Sequence, residues 1–103
     1  MSRHILGFKS LGLVVHAGVD PRSGRLFVQV YEGIATEPKA QQIFGEMHIE
    51  ALEQFLSAEG VSPPDSYLRA LVTDIAVEEY RERNVHWEEG GSIVLEYPAR
   101  VLH

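Results

Sequence analysis

The fold is decided by residues 11–32, which read LGLVVHAGVDPRSGRLFVQVYE. Residues 11–19 and residues 25–32 each place their apolar side chains with the period of two that is typical of a β-strand. The five residues between these runs, DPRSG, suit a tight turn, because Asp and Pro favour its first positions and Gly can close it with a positive φ. The stretch therefore predicts a β-hairpin. Since large apolar side chains lie on both of its faces, we expect one face to be covered by helices and the other by a second subunit.

A second hairpin is predicted further along the chain. Residues 85–88 and 92–97 are strand-like runs, and the pair Gly90-Gly91 lies in the short segment between them. A glycine pair between two such runs indicates a tight hairpin turn. Pro98 ends the last strand or places it at an edge of the sheet, because proline cannot donate a hydrogen bond to a neighbouring strand.

Two helices are predicted between the hairpins. In residues 48–58 the side chains of Ile49, Leu52 and Leu56 recur with helical spacing and share one face. Gly60 is suited to end this helix, since glycine adopts the left-handed conformation that follows a helix.

The second helix has the clearest start signal. Ser62 is placed to cap it, Pro63 to occupy the first helical position and Asp65 the third, as a capping-box partner. The apolar positions that follow predict a helix that continues to about Arg83 and stops at Asn84.

These elements give a predicted order of ββ(β)ααββ. The bracketed strand, at residues 43–49, is weakly indicated, and the sequence leaves open whether residues 41–46 form a strand and whether residues 1–9 pair with the sheet. Strands and helices do not alternate, so we predict an α+β fold: an antiparallel sheet of four to five strands, formed by two hairpins, with two helices packed on one face. We expect residues 1–103 to form a single domain.

The composition excludes several kinds of chemistry. The chain has 103 residues, enough to bury a core, and none of them is cysteine. This excludes disulfides, thiolate metal sites and cysteine nucleophiles. No apolar run suits a signal peptide or a membrane helix, so we expect a cytoplasmic protein with no membrane contact.

The charge of the chain bears on its partners. The formal net charge is −6, and a surface that contacts a phosphate backbone needs clustered Lys and Arg. We therefore expect no nucleic acid partner. Basic proteins and small molecules remain open.

The catalytic motifs that we looked for are absent. The chain has neither a glycine-rich phosphate loop nor a G-x-S-x-G nucleophile motif. His16, His48 and His86 would bind a metal together with Glu46 or Glu88 only if the fold brought them close together. We predict no metal, no cofactor and no catalytic residue, while an enzyme that uses these histidines and a glutamate as acid and base remains an alternative.

Aromatic side chains and histidines are the candidate binding residues, because pockets and interfaces favour aromatic groups combined with a few polar ones. The predicted ligand- or partner-binding set is Phe27, Tyr31, Tyr67, Trp87, Tyr97, His16, His48 and His86.

One local pattern resembles a known family. Residues 49–56 (IEALEQFL), the bend Gly60-Val61-Ser62 and the run LRAL at residues 68–71 resemble the two helices of a ribbon–helix–helix DNA-binding protein. The resemblance covers about a third of the chain and implies a DNA-binding regulator. That family reads DNA with a basic strand before the first helix, whereas residues 40–68 contain no Lys or Arg.

The function predicted from the sequence is therefore binding. We predict a small acidic domain that binds a protein or a small ligand without catalytic activity, is a homodimer, and could be an accessory protein of a mobile element. The DNA-binding regulator and the acid–base enzyme are the alternatives.

Overall fold

The computed structural model describes residues 2–20, 22–44, 49–76 and 83–97. In chain order the elements are β1 (Ser2–Phe8), β2 (Leu13–Val19), β3 (Leu26–Glu32), β4 (Ala40–Phe44), α1 (Ile49–Ala58), α2 (Asp65–Ala76), β5 (Arg83–Trp87) and β6 (Ile93–Tyr97). The predicted α+β class is confirmed.

The strands form one mixed sheet in the order β4-β3-β2-β1-β5-β6. All neighbours are antiparallel except β1 and β5, which are parallel. The predicted antiparallel sheet of four to five strands is therefore correct only in outline, because the sheet has six strands and one of its pairs is parallel. Residues 2–8, left unassigned from the sequence, form a central strand. The helices lie between β4 and β5, and a long connection of this kind is what allows two strands to pair in parallel.

Both predicted hairpins are confirmed, and the turn of the first has the expected chemistry. The amide of Gly24 donates to the carbonyl of Asp20 at 2.7 Å, and Gly24 has a φ of 67°. The amide of Arg22 donates to Asp20 Oδ1 at 2.9 Å, and this hydrogen bond between side chain and backbone stabilises the turn.

The first helix ends as predicted, whereas the strand before it begins earlier than predicted. Gly60 has a φ of 78°, and the amide of Val61 donates to the carbonyl of Leu56 at 2.8 Å, which closes the helix end. Of the strand predicted at residues 43–49, residues 43–44 belong to a strand that begins earlier, Ala40–Phe44, Ile49 belongs to α1, and residues 45–48 lie outside the described residues.

The start of α2 differs from the prediction. Ser62 and Pro63 lie outside the helix, which begins at Asp65, and the carbonyl of Pro64 accepts from the amide of Tyr67 at 3.0 Å. The reason is the second proline: a residue that precedes proline is pushed out of helical conformation, so Pro63 cannot start the helix. The helix was predicted to continue to about Arg83, but Arg83 begins β5; residues 77–82 of the predicted helix lie outside the described residues.

The two helices pack on one face of the sheet and bury the core there. Its fully buried side chains include Leu6, Val15, Val28, Leu52, Leu56, Tyr67 and Leu71. We call the opposite side the helix-free face. Its strand residues are Arg3, Ile5, Gly7, Val14, His16, Gly18, Phe27, Gln29, Tyr31, Gln41, Ile43, Asn84, His86, Leu95 and Tyr97.

Candidate functional site

The structure separates the predicted binding residues into two groups. Five of them belong to the helix-free face: Phe27, Tyr31, Tyr97, His16 and His86. Two are buried between the helices and the sheet, namely Tyr67 of α2 and Trp87 of β5. The remaining prediction, His48, lies outside the described residues.

The buried group surrounds His4 in β1. The indole nitrogen of Trp87 lies 3.0 Å from His4 Nδ1, and because indole can only donate, Nδ1 must accept. The proton of the imidazole is therefore on Nε2, which donates to Asp74 Oδ2 at 2.6 Å. Tyr67 donates its hydroxyl to the carbonyl of His4 at 2.7 Å, and burial raises the pKa of that hydroxyl. Both ring nitrogens of His4 are thus committed to other side chains.

Asp74 links this cluster to the last hairpin. Its Oδ1 lies 3.1 Å from Arg83 Nη2, and Arg83 Nη1 lies 3.0 Å from Glu96 Oε1. Burial opposes ionisation of Asp74, but its hydrogen bond to His4 and the charge of Arg83 outweigh this effect, so the pKa of Asp74 is lowered. His4 and Asp74 are almost fully buried, which gives the cluster a structural role: it fastens α2 to β1 and β5.

On the helix-free face, Arg3, Gly18, Phe27 and Ile43 form one row across four strands. The carbon of the Arg3 guanidinium lies 5.4 Å from the centre of the Phe27 ring, which is a cation–π distance. Gly18 lies between them in the row, and a β-carbon there would collide with the backbone carbonyl of Ser2. Glycine at this position therefore allows β1 and β2 to approach closely.

The next row carries a chain of oriented polar groups. Arg3 Nη1 donates to His16 Nδ1 at 3.1 Å and to Gln29 Oε1 at 3.4 Å. The Tyr31 hydroxyl donates to the same Gln29 oxygen at 3.1 Å. The Gln29 amide nitrogen then donates to Gln41 Oε1 at 3.3 Å. Because Arg3 can only donate, the orientation of each amide follows from it, and the NH₂ group of Gln41 points away from Gln29.

His16 is neutral at physiological pH. Burial, then the positive charge of Arg3 and the electrostatic influence of His86, lower its pKa to about 4. Its ring packs 4.7 Å from the ring of Tyr31, centre to centre. His16 and His86 lie on opposite sides of Ile5 in the sheet, two strands apart, and so roughly 10 Å from each other along the sheet.

A cavity of about 460 Å³ lies beside these rows. Arg3, Phe27, Gln29, Gln41 and Ile43 line it from the strands, and it extends to the β2–β3 turn. A cavity of this size is in the range of small-molecule sites. Of the residues predicted from the sequence, it therefore uses Phe27.

The helix-free face differs in charge from the chain as a whole. Among its strand residues, as described above, there is no Asp or Glu, whereas the chain has 15 of them. The two carboxylates within the strands, Glu32 and Glu96, pair with the helix-covered residues Leu13 and Val85. The face is thus neutral to basic on an acidic protein.

The edge strand β6 is exposed to an unusual degree. Four large apolar side chains in it are exposed: Ile93, Val94, Leu95 and Tyr97. The helices do not cover these residues, and within the described ranges no strand pairs with the outer edge of β6.

The described residues contain no group of three or more His, Cys, Asp or Glu that could hold a metal ion. Neither α1 nor α2 has the length and apolar character needed to cross a membrane. Comparisons of the chain with protein-family models, curated proteins and solved structures gave no match.

The sequence reasoning missed the polar residues of the site. Arg3, Gln29 and Gln41 were not among the predicted residues, and neither was the buried pair His4–Asp74. The sequence of β1 gave no clear signal, because each of its two faces combines polar with apolar residues, and the alternation of residues 2–8 in burial is visible only in the folded structure. No signal was available for the partners of Arg3, since they lie on strands that only the sheet order brings together.

Proposed function

We propose that the protein is a small protein-interaction domain without catalytic chemistry, and that it acts as a homodimer joined through strand β6. The exposure of β6 at the edge of the sheet carries this proposal: Val94 is 67 % exposed and Tyr97 58 %. Proteins normally protect such an edge with charged residues, proline or a covering segment, because an exposed apolar edge strand pairs with other strands.

The charges of β6 favour a second copy of the chain as the partner. Two molecules that each carry a net charge of −6 repel one another over most of their surfaces. In β6 the sole charged residue is Glu96, and it forms an ion pair with Arg83 of its own chain at 3.0 Å. Two β6 strands therefore meet through apolar side chains, without an unpaired carboxylate.

Antiparallel pairing of two β6 strands has a defined geometry. The two-fold axis runs perpendicular to the sheet, so the helices of both copies lie on one side and the two helix-free faces form one continuous surface. The contact itself is small, because five residues span only about 17 Å. Since stable interfaces bury about 800 Å² per partner, we expect a dimer of micromolar or weaker affinity.

Sedimentation equilibrium over protein concentrations from micromolar to millimolar tests the dimer. We expect a reversible monomer–dimer equilibrium that Val94→Lys shifts to monomer, because a charge on the edge opposes strand pairing. Ile34→Lys is the matched control: it introduces the same charge at a fully exposed apolar side chain, which lies in a turn away from β6. A strict monomer at millimolar concentration, or equal effects of both variants, would contradict the proposal.

Single cysteines in β6 test the antiparallel geometry, and the natural chain has no cysteine to interfere. Residues opposite each other in an antiparallel pair have β-carbons about 4.5–5.5 Å apart. Only the position on or beside the two-fold axis faces its own copy. We therefore expect mild oxidation to cross-link one or two of the positions 93–97 and spare the rest. Equal cross-linking at all five would indicate unspecific association instead.

The two alternative functions have less support from the site. An acid–base enzyme needs a histidine that can exchange a proton with a substrate, whereas His16 accepts a hydrogen bond from Arg3 on Nδ1 and stays neutral at physiological pH. A ribbon–helix–helix regulator needs a basic strand before its first helix, whereas β4 reads AQQIF.

A further inference from the structure

Two turns at one end of the sheet each present a large apolar side chain to solvent. Leu11 lies in the turn between β1 and β2 and is 49 % exposed, and Ile34 lies in the turn after β3 and is fully exposed. Neither belongs to the hydrophobic core. Turns normally carry glycine, proline or small polar residues. One exposed apolar side chain is ordinary, but two neighbouring ones indicate a contact surface.

The backbone ties these two turns together. The amide of Gly33 donates to the carbonyl of Gly12 at 2.8 Å. These glycines are the direct chain neighbours of Ile34 and Leu11. The Cα atoms of the two apolar residues are therefore at most about 14 Å apart, because one hydrogen bond and one residue step on each side separate them. Each turn is also closed by a backbone hydrogen bond of 3.1 Å within itself, so a partner meets a surface that is already ordered.

Carboxylates lie next to both apolar side chains. Glu32 and Glu37 are exposed and lie within three residues of Ile34 in the chain. At the tip of the β5–β6 hairpin, the carboxylate of Glu89 accepts a hydrogen bond from the amide of Lys9, which belongs to the turn between β1 and β2. The hairpin tip is thereby fixed beside the first of the two apolar turns.

The balance of charge at this end of the sheet is negative. Residues 9–12, 32–39 and 88–92 are all described, and they contain four glutamates and two lysines. One of the lysines, Lys39, is neutralised by Glu59, whose carboxylate lies 3.2 Å from its ammonium group. We define the turn surface as Leu11 and Ile34 together with the four glutamates, Glu32, Glu37, Glu88 and Glu89. A negative rim beside apolar groups is complementary to a basic amphipathic partner and repels a membrane that carries anionic lipids.

We propose that the turn surface binds a basic amphipathic helix of a partner protein. The apolar side chains of that helix pack on Leu11 and Ile34, and its Lys or Arg side chains lie against the carboxylates of the turn surface. Two helical side chains that are seven residues apart are separated by about 10.5 Å along the helix axis, which is compatible with the distance between the two turns.

This binding is separate from the β6 contact and goes beyond it. The two apolar side chains lie in the connections from β1 to β2 and from β3 to β4, whereas β6 is at the edge of the sheet. Antiparallel pairing of two β6 strands would place one turn surface at each end of the dimer. The Val94→Lys variant should therefore bind the partner helix as tightly per chain as the natural chain does.

A synthetic peptide of about 18 residues tests the proposal, with leucine on one helical face and lysine on both sides of it. In a fluorescence anisotropy titration of the labelled peptide with the full chain, we expect micromolar affinity that decreases as salt is raised. A peptide of the same composition in scrambled order keeps the charge but has no apolar face, and should bind about ten-fold more weakly. Equal binding of the two peptides would overturn the proposal.

Two substitutions in the turns test the apolar contacts. Ile34→Ser and Leu11→Ser alter exposed side chains outside the core, so the fold should be retained. We expect each to weaken peptide binding about ten-fold. Val72→Ser is the matched control, because it makes a similar change at an exposed apolar side chain of α2 and should leave the affinity unchanged. Unchanged binding in Ile34→Ser, or an equal loss in Val72→Ser, would show that the turns do not form the contact.

A pair of double variants tests the carboxylates. Glu37→Gln combined with Glu89→Gln should weaken peptide binding about ten-fold and flatten its salt dependence. Glu50→Gln combined with Glu53→Gln removes the same charge from exposed positions of α1 and should have little effect. Equal losses in both double variants would indicate general attraction of the peptide to an acidic protein and would refute a specific site.

Two further measurements separate this proposal from its alternatives. Cosedimentation with vesicles of phosphatidylcholine and phosphatidylserine should show no binding, because the carboxylates repel the anionic headgroups. Vesicle binding that Ile34→Ser abolishes would assign the apolar turns to a lipid surface and overturn the proposal. Sedimentation and peptide titration of the same samples distinguish the two interfaces: peptide binding without dimerisation refutes only the β6 contact, and dimerisation without peptide binding refutes only the turn surface.

Discussion

Asp74 offers the sharpest test of how this fold is held together. Asp74 is 4 % exposed, and its carboxylate lies 2.6 Å from His4 Nε2 and 3.1 Å from Arg83 Nη2. Asp74→Ala would leave the His4 N–H group without its acceptor and the guanidinium with a single carboxylate. Removing one partner of a buried ion pair costs about 3–5 kcal/mol. Arg83 keeps Glu96, so we expect the lower end, about 3 kcal/mol of unfolding free energy.

Urea unfolding measures this loss, with the fluorescence of Trp87 as the probe, because it is the only tryptophan and packs against His4. Domains of this size have stabilities of about 5–15 kcal/mol, so the variant should still fold at low temperature. Asp74→Asn keeps an oxygen acceptor for His4 but loses the charge that Arg83 requires, and we expect roughly half the loss.

Thr73→Ala is the control, since it alters the exposed neighbouring position of the same helix and should change stability by no more than about 0.5 kcal/mol. Because the pKa of Asp74 is lowered in the folded state, its contribution is present above pH 4 and is lost as the pH falls further. The stability difference between the natural chain and Asp74→Ala should therefore narrow below pH 4. A loss under about 1 kcal/mol at pH 7, or an equal loss in Thr73→Ala, would refute the structural role of the cluster.

Two further predictions concern the helix-free face. The pKa of His16 is about 4 in the folded chain and near 6.5 in the unfolded chain, so the unfolded chain binds a proton first as the pH is lowered. The free energy of unfolding should therefore fall by about 1–2 kcal/mol between pH 6.5 and pH 4, a value reduced because the side chain is partly exposed. Chemical unfolding across this range should show a flatter profile for His16→Gln, and an identical profile would contradict the assignment. Gly18→Ala should cost about 1–3 kcal/mol in thermal or chemical unfolding, because its β-carbon meets the Ser2 carbonyl. Gly7→Ala on the same face has open space and should be nearly neutral, so similar losses in both would exclude the steric explanation.

The sequence determined those elements whose causes are local. The alternation in β2 and β3, together with Asp20 and Gly24 in their turn, was sufficient to predict the first hairpin. Gly60 likewise ended α1 where predicted, since a positive φ is a property of the residue itself. The start of α2 differs from the prediction for a reason that is also local, because Pro64 prevents Pro63 from adopting a helical conformation.

Only the tertiary structure decided the sheet order and hence the candidate site. Residues 2–8 form β1, but no local feature of their sequence indicates that β1 lies between β2 and β5. That placement sets Arg3 beside His16 and over Phe27, and it buries His4 against Trp87 and Asp74. Strand pairing depends on contacts between distant segments, which a one-dimensional pattern does not encode. The sequence therefore offered Phe27 and His16 as candidate binding residues, while Arg3, which contacts both, became visible as their neighbour only in the folded sheet.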